Sequence, residues 1–243
     1  MFSKGQFNQN GSQAVQNQPL AGGSVSPWAP VPDPDPAVSQ GLEYLNQVSQ
    51  LLIQRKIKFM QAYRSPAPFI ITTANRQQIF STPQEDCCAN WFRCYFNSYT
   101  VPVLDNAHNE VLQIHRPLDF SYGIFQCCQK KVEVRTATGE IIAYIYQKLH
   151  CCAAIFIIQD ANEENMLKIS SNICHFTCTS RTFKIESIAE SSQVGKLTMY
   201  LSGSLFSSGS LNFELLVPLE LDMKMKAALL CTCIILGRMQ FRE

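Results

Sequence analysis

The sequence predicts a mainly β fold: a closed antiparallel barrel of twelve strands around a central C-terminal helix, preceded by a disordered N-terminal tail. Three observations support this fold class. Residues 1–40 are polar, whereas the chain from residue 69 onward repeats pairs of apolar runs around polar turns. After Pro218 a single apolar segment follows, and its length fits a helix better than a strand.

The tail is rich in Gln, Asn, Gly, Ser and Pro, and its only charges are Lys4, Asp33 and Asp35. Such a segment buries too little apolar surface to offset the entropy lost on ordering. We therefore expect a disordered tail over residues 1–40 and one folded domain over 41–243. The proline-rich run over 27–36, PWAPVPDPDP, favours extended conformations. It is interpreted as a flexible tail, with a docking segment for protein partners as the alternative.

The folded domain begins with Leu45, Val48, Leu51, Leu52 and Ile53, whose near-helical spacing predicts a short helix or a helix that runs into a strand. Strand pairs follow, with Asn, Asp or Gly at their turns because these residues tolerate positive φ. The pairs are 69–72 with 78–81, 101–104 with 111–115, 132–135 with 141–146, 155–158 with 166–169, 183–185 with 196–201, and a weaker pair flanking 207–210.

Six hairpins supply twelve strands, and closing the meander into a barrel removes its exposed edges. A barrel of this width cannot be filled by strand side chains alone. The apolar segment AALLCTCIILG, residues 227–237, is bounded by Lys226 and Arg238. As a helix it spans about 16 Å, against about 30 Å for the hydrocarbon core of a bilayer. We therefore interpret it as a buried helix at about 219–237 that fills the barrel, rather than as a membrane-spanning segment.

Composition and motifs exclude several classes. A net charge of +1 gives no general attraction to nucleic acid, and a hydrophobic fraction of 46% is too low for a polytopic membrane protein.

No secretory signal is visible, so we expect the eleven cysteines to stay reduced. The cysteine spacing does not match paired zinc ligands, although Cys174 and Cys178 form a half-site. Cys231 and Cys233 are interpreted as core filling. Known catalytic motifs are missing, so we expect no hydrolytic or transferase site.

Five segments resemble landmarks of the phospholipid scramblase family in order and spacing. They are GLEYLNQV at 41–48, RPL at 116–118, LKIS at 167–170, VGK at 194–196 and PLELDMKMKAALL at 218–230. The resemblance implies a twelve-stranded barrel around a C-terminal helix, similar to the tubby C-terminal domain. It also implies calcium-responsive, ATP-independent and bidirectional movement of phospholipids across the bilayer. The family is membrane-associated, so we expect this chain at the cytosolic face of the plasma membrane.

The resemblance also implies calcium as a cofactor, bound just before the final helix by residues 209–220, which begin at Gly209 and end at Glu220. A loop of the EF-hand type binds calcium through oxygen ligands at positions 1, 3, 5, 7, 9 and 12. Here those positions are Gly209, Leu211, Phe213, Leu215, Val217 and Glu220. Because Glu220 is the single carboxylate among them, we expect little or no calcium binding of this type.

The family carries a cysteine cluster after the RPL landmark that is taken as its palmitoylation site. Here Cys127 and Cys128 remain, followed by Lys130 and Lys131. Stable anchoring of a lipoprotein normally takes two signals, and an acyl chain beside lysines that contact anionic headgroups supplies both. The sequence therefore predicts lipidation at the two cysteines and membrane contact at the two lysines. Burial of the cysteines as small apolar residues is the alternative.

Two functions are consistent with these observations. The first is scrambling, with membrane phospholipids as partners. The second is a non-transporting lipid-binding or membrane-tethered adaptor module, favoured by the reduced calcium and acylation motifs. Calcium dependence distinguishes them, because the second function predicts none.

Overall fold

In the computed structural model, the residues described are 28–29, 41–57, 67–84, 99–117, 131–148, 153–172, 180–204 and 208–239. The helices are α1 (Glu43–Asn46) and α2 (Met223–Met239). The strands are β1 (Gln50–Ile57), β2 (Phe69–Thr73), β3 (Gln78–Ser81), β4 (Tyr99–Leu104), β5 (Glu110–Arg116), β6 (Lys131–Thr136), β7 (Ile141–Lys148), β8 (Ala153–Asp160), β9 (Asn165–Asn172), β10 (Ser180–Ser187), β11 (Gln193–Ser204) and β12 (Ser208–Leu216).

The strands form one closed antiparallel barrel in which each strand pairs with its neighbours in sequence and β1 pairs with β12. The predicted mainly β class, the twelve-stranded barrel and its C-terminal helix are therefore confirmed. The closing pair is long: it runs from Gln50 opposite Leu216 to Ile57 opposite Gly209. Closure by β1 satisfies the backbone groups that would otherwise form a free edge on β12.

One of the two alternatives for the first segment is confirmed, and one later strand differs from the pattern inferred from the sequence. The segment with near-helical spacing is a helix that runs into a strand: the four-residue helix α1 leads to β1, in which Leu51, Ile53, Arg55 and Ile57 are buried in alternation. In addition, β11 is one twelve-residue strand that belongs to both the fifth and the sixth predicted hairpins. The strand β1 supplies the strand that makes twelve.

The hairpin turns are organised by carboxylates that accept backbone hydrogen bonds. Asp105 Oδ1 accepts from the N–H groups of Ala107 and Asn109, both at 2.8 Å. Asp160 Oδ1 accepts in the same way from Asn162 at 3.0 Å and Glu164 at 2.8 Å. Such bonds stabilise tight turns between strands, which explains why Asp and Asn marked the turns correctly.

All neighbouring strands are antiparallel, so the turns β2–β3, β4–β5, β6–β7, β8–β9 and β10–β11 lie at one end of the barrel, here called the turn end. The helix α2 begins at this end, where Lys224 lies 3.7 Å from Glu140 of the β6–β7 turn. Asp222 Oδ2 accepts from the N–H groups of Lys224 at 3.1 Å and Met225 at 3.4 Å and so caps the helix. The end where α2 terminates is called the far end.

The strand pairing around the barrel is shortest between β3 and β4, which share one residue pair, Ser81 with Leu104. Beside it, Trp28 forms a parallel β-bridge with Gln78, and the N–H of Ala29 donates to Gln78 O at 2.8 Å. Ala29 is buried. Two residues from the proline-rich run thus extend the wall where the strand pairing is shortest.

Replacing Gly237 by alanine is expected to lower the free energy of unfolding by about 1–3 kcal/mol, because the site is already fully packed. A Cβ at this position would lie 2.7 and 2.8 Å from two ring carbons of Phe69 and 3.1 Å from Phe213. Urea unfolding measures the loss. Phe69→Leu removes those ring carbons, so the loss in the double variant should be smaller than the sum of the two single losses. Strictly additive losses would contradict this account.

Candidate functional site

The helix α2 occupies the barrel interior, and polar side chains gather at its two ends. Every residue from 225 to 237 is buried, and the helix packs against β7, β8, β12 and α1. A helix that is apolar on all faces is stable only when it is surrounded. The inward-facing side chains of the strands, such as Ile71, Val134 and Phe183, are fully buried around it.

Lys226 is a fully buried cation in the first turn of α2. Its Nζ donates to Leu45 O at 3.1 Å and to Leu219 O at 2.9 Å. Burial lowers the pKa of Lys226, and the nearby carboxylates of Glu220 and Asp222 oppose that shift in part. One ammonium group thus links α1, the segment after β12 and the start of α2.

Arg55 is the buried cation at the C-terminal end of α2, as Lys226 is at its start. Its Nη1 donates to Gly237 O and its Nε to Ala67 O, both at 3.2 Å, and its guanidinium lies 4.9 Å from the centroid of the Phe69 ring. The last carbonyl groups of a helix have no partners within the helix, and a cation there also complements the helix dipole. Arg55 supplies both interactions from inside the barrel wall.

Two further arginines approach the same end through Tyr99. The guanidinium carbons of Arg238 and Arg116 lie 4.9 and 5.8 Å from the centroid of its ring. This arrangement places Arg116, the first residue of the RPL segment, beside the last turn of α2. Cation–π contacts of this kind attract a guanidinium to an aromatic face, so Tyr99 holds two guanidinium groups near the last turn of α2.

The predicted calcium segment, 209–220, is for the most part the strand β12. Residues 209–216 pair with β1 on one side and with β11 on the other, so their backbone groups belong to two strand ladders. Glu220 lies exposed in the turn that precedes α2. In the part of the chain that is described, no group of three or more His, Cys, Asp or Glu residues is arranged to hold a metal ion.

Of the residues predicted to contact the membrane, Lys131 is described. It begins β6, and its Nζ lies 2.7 Å from Glu163 Oε1 and 3.8 Å from the centroid of the Tyr144 ring. Cys127, Cys128 and Lys130 lie outside the described residues. Lys131 thus contacts the β8–β9 turn through Glu163, whereas Glu220 lies in the turn that precedes α2, near Lys226.

The cysteines of α2 are core residues. Cys231 and Cys233 are free and fully buried, and burial raises the pKa of both thiols far above their usual range. A thiol that stays protonated is a poor nucleophile. The interpretation of these two cysteines as core filling is confirmed. Among the described residues, no helix is both long enough and apolar enough to cross a membrane.

Sequence reasoning missed the roles of Lys226 and Arg55. Lys226 was placed at the boundary of the apolar segment, but its hydrogen bonds to Leu45 and Leu219 depend on how the chain folds back. Arg55 was recoverable in principle, since Leu51, Ile53 and Ile57 share its alternation and therefore its inward direction. The sequence left open whether this segment is a short helix or a helix that runs into a strand, so the inward direction of Arg55 was not assigned.

The chain is similar to the members of one known protein family along most of its length. A family model described as Scramblase matches residues 29–243. Phospholipid scramblase 1 of Mus musculus is 32% identical over 241 residues, which cover 94% of this chain and 73% of the relative. Phospholipid scramblase 2 of Bos taurus is 32% identical over 240 residues, covering 93% and 81%. Phospholipid scramblase family member 5 of Homo sapiens is 29% identical over 218 residues, covering 86% and 80%. No solved structure matches significantly.

Replacing Lys226 by methionine keeps an unbranched apolar side chain that is one atom shorter, and it leaves Leu45 O and Leu219 O without their donor. We expect a loss of about 1–3 kcal/mol in the free energy of unfolding, measured with urea at neutral pH. The control is Lys224→Met, two positions earlier, which removes one exposed ion pair and should cost no more than about 1 kcal/mol. Equal losses in both variants would contradict a special role for Lys226.

The effect of Lys226→Met should also depend on pH. The pKa of Lys226 in the folded chain lies below its usual value of 10.5. At any pH between the pKa of the folded chain and that usual value, the unfolded chain binds more protons, so the free energy of unfolding rises with pH. The neutral amine still donates both hydrogen bonds. The advantage of the wild-type chain over Lys226→Met should therefore grow as the pH rises toward 10.5. An advantage that shrinks over this range would contradict the assignment.

Proposed function

Because the chain belongs to the scramblase family, with a family match that spans residues 29–243, we propose that it moves phospholipids between bilayer leaflets, in both directions and without ATP. The observation that carries the proposal is the extent of this match, which includes the whole barrel and α2. Relatives named phospholipid scramblase 1 and 2 align with more than nine-tenths of the chain, at 94% and 93%. The activity is transport rather than hydrolysis or group transfer.

Calcium dependence is the first finer point of the proposal. We propose that residues 209–220 do not bind calcium as an EF-type loop. In support, residues 209–216 are engaged by strands on both sides, whereas a calcium loop must turn its carbonyl and carboxylate oxygens toward one ion. Glu220 alone offers one carboxylate, which is too few for a hard cation that takes six to eight oxygen ligands.

Membrane attachment is the second finer point. We propose that the chain sits at the cytosolic face of the plasma membrane, with acyl chains on Cys127 and Cys128 and headgroup contacts from Lys130 and Lys131. An acyl chain and basic residues together satisfy the two-signal requirement for stable anchoring. Protein partners, if recruited, would bind the polar tail over residues 1–40.

The enclosure of α2 favours a second candidate function, a non-transporting lipid-binding or adaptor module. A headgroup that crosses a bilayer needs a polar route, and a buried apolar helix supplies none. All residues from 225 to 237 face the barrel interior or its wall. Scrambling would therefore require the outer wall or an assembly of several copies.

The deciding experiment is a dithionite-quenching assay on liposomes reconstituted with the purified chain and a fluorescent phospholipid. Scrambling exposes inner-leaflet probe to the quencher, so we expect more quenching than in protein-free liposomes. The absence of extra quenching, with incorporation verified, would exclude intrinsic scrambling and favour the adaptor module. Heat-denatured protein at the same ratio controls for leakage.

The same liposomes test calcium dependence. We expect equal rates with millimolar calcium and with a chelator, and no effect of Glu220→Gln on either rate, because one carboxylate does not form a calcium site. Asp222→Asn is a charge-matched control that lies beside the same helix. A calcium-stimulated rate that Glu220→Gln abolishes would show that this segment does bind the ion.

Attachment is tested by fractionating cells that express Cys127→Ser/Cys128→Ser. The double variant should move from the membrane fraction toward the soluble fraction, because one of the two anchoring signals is lost. Release of the wild-type chain by hydroxylamine, which cleaves thioesters, is the matched chemical control. An unchanged membrane fraction in both experiments would contradict acylation at this pair.

A further inference from the structure

Large apolar side chains are exposed on one part of the barrel wall. Within the described ranges, the large hydrophobic residues that are exposed all lie between β9 and the start of α2: Met166, Ile188, Tyr200, Leu216 and Leu219. Leu219 is the most accessible, at 53%. Single exposed apolar residues are common, so the surface must be argued from the charges that accompany them.

The same part of the wall carries two lysines directly opposite each other, Lys184 on β10 and Lys196 on β11. Both are exposed. Like charges at opposite positions of neighbouring strands destabilise a sheet. Among the described ion pairs, Lys131, Lys168 and Lys224 each have a glutamate partner, and neither Lys184 nor Lys196 takes part in one.

The strand register brings these charges and apolar groups together. Lys196 lies opposite Lys184 on one side and opposite Leu216 on the other, so the three form one row across β10, β11 and β12. Toward the turn end, the N–H of Ile188 donates to Met166 O at 3.0 Å, which places their backbones side by side. We call this surface the β9–β12 face; it consists of Met166, Lys184, Ile188, Lys196, Tyr200, Leu216 and Leu219.

Most carboxylates near the β9–β12 face are bonded within the protein. Glu186 pairs with Lys168 at 3.2 Å, Glu190 accepts from Ser192 at 3.1 Å, Glu214 accepts from Gln50 at 2.7 Å, and Asp222 accepts from the N–H of Lys224 at 3.1 Å. Glu220 lies at the border, beside the buried Lys226. The two exposed ammonium groups of the central row are therefore available to an external anion.

We propose that the β9–β12 face docks on the surface of a bilayer that contains anionic phospholipid. Lys184 and Lys196 bind lipid phosphates, which relieves their mutual repulsion, while Leu216 and Leu219 enter the interfacial layer. Basic residues near an anionic leaflet and buried apolar area are the two contributions that hold a peripheral protein on a membrane. The inference rests on the proposed action on phospholipids and assigns its contact surface to the side of the barrel.

The test is binding of the full, unacylated chain to vesicles of phosphatidylcholine alone or mixed with phosphatidylserine, measured by flotation. Lys184→Gln/Lys196→Gln should weaken binding to the mixed vesicles about 30-fold and have little effect on phosphatidylcholine vesicles. Leu216→Ser/Leu219→Ser should weaken binding to both kinds by about tenfold or more. Lys56→Gln/Lys148→Gln is the control, since it removes the same charge from exposed lysines outside the face.

Thermal unfolding separates docking from stability. Removing the opposed lysines should leave Tm unchanged or raise it, because a repulsive pair is lost. If the double leucine variant fails to fold, Leu219→Ser alone serves, since its side chain is already largely in solvent.

Several results would overturn the proposal: wild-type chain that binds neither kind of vesicle, or an equal loss of binding in the lysine variant and its control. A dimer that Leu216→Ser/Leu219→Ser dissociates, without vesicle binding, would also overturn it and assign the face to self-association. The dithionite assay on incorporated protein is scored separately. If the protein scrambles lipid but the variants of the β9–β12 face bind vesicles as well as the wild-type chain does, only this inference is contradicted. If the variants lose vesicle binding but the wild-type chain does not scramble, only the transport activity is contradicted.

Discussion

A wall of twelve strands encloses more volume than its own side chains can fill, and α2 supplies the missing core. The dependence is mutual, because a helix whose residues 225–237 are all buried would expose apolar surface on every side if it left the barrel. The close approach of Gly237 to Phe69 and Phe213 shows how little space remains. Wall and helix therefore stabilise each other, and neither is a complete folding unit.

Hydrogen bonds from buried cations hold the two ends of α2 in place within the barrel. Lys226 binds carbonyl oxygens of Leu45 and Leu219 at the turn end, and Arg55 binds Gly237 O at the far end. Both cations are buried, and breaking a hydrogen bond to a buried charged group costs more than breaking a neutral one. Release of the helix would thus expose apolar surface and leave buried polar groups without partners.

Because the barrel interior is filled by α2, any action on lipids would involve the outer surface. There the β9–β12 face combines two opposed lysines with two exposed leucines. The far end has a different chemistry, with Arg116 and Arg238 against Tyr99. The chain, which is 32% identical to phospholipid scramblase 1 of Mus musculus over 94% of its length, thus combines a fully packed interior with an outer wall that carries both charged and apolar side chains.

The sequence by itself determined the class of fold. The alternation of apolar and polar residues in segments such as 132–135, and the turns at Asp105 and Asp160, depend on residues that are close together in the chain. It also determined that the segment over 227–237 is too short to span a bilayer. Only the tertiary structure decided between the two alternatives for the first segment and showed that β1 closes the barrel, because its pairing with β12 joins residues far apart in the chain. The partners of Lys226 and the row of Lys184, Lys196 and Leu216 were undecided for the same reason: register between distant strands depends on barrel closure, which no local pattern encodes.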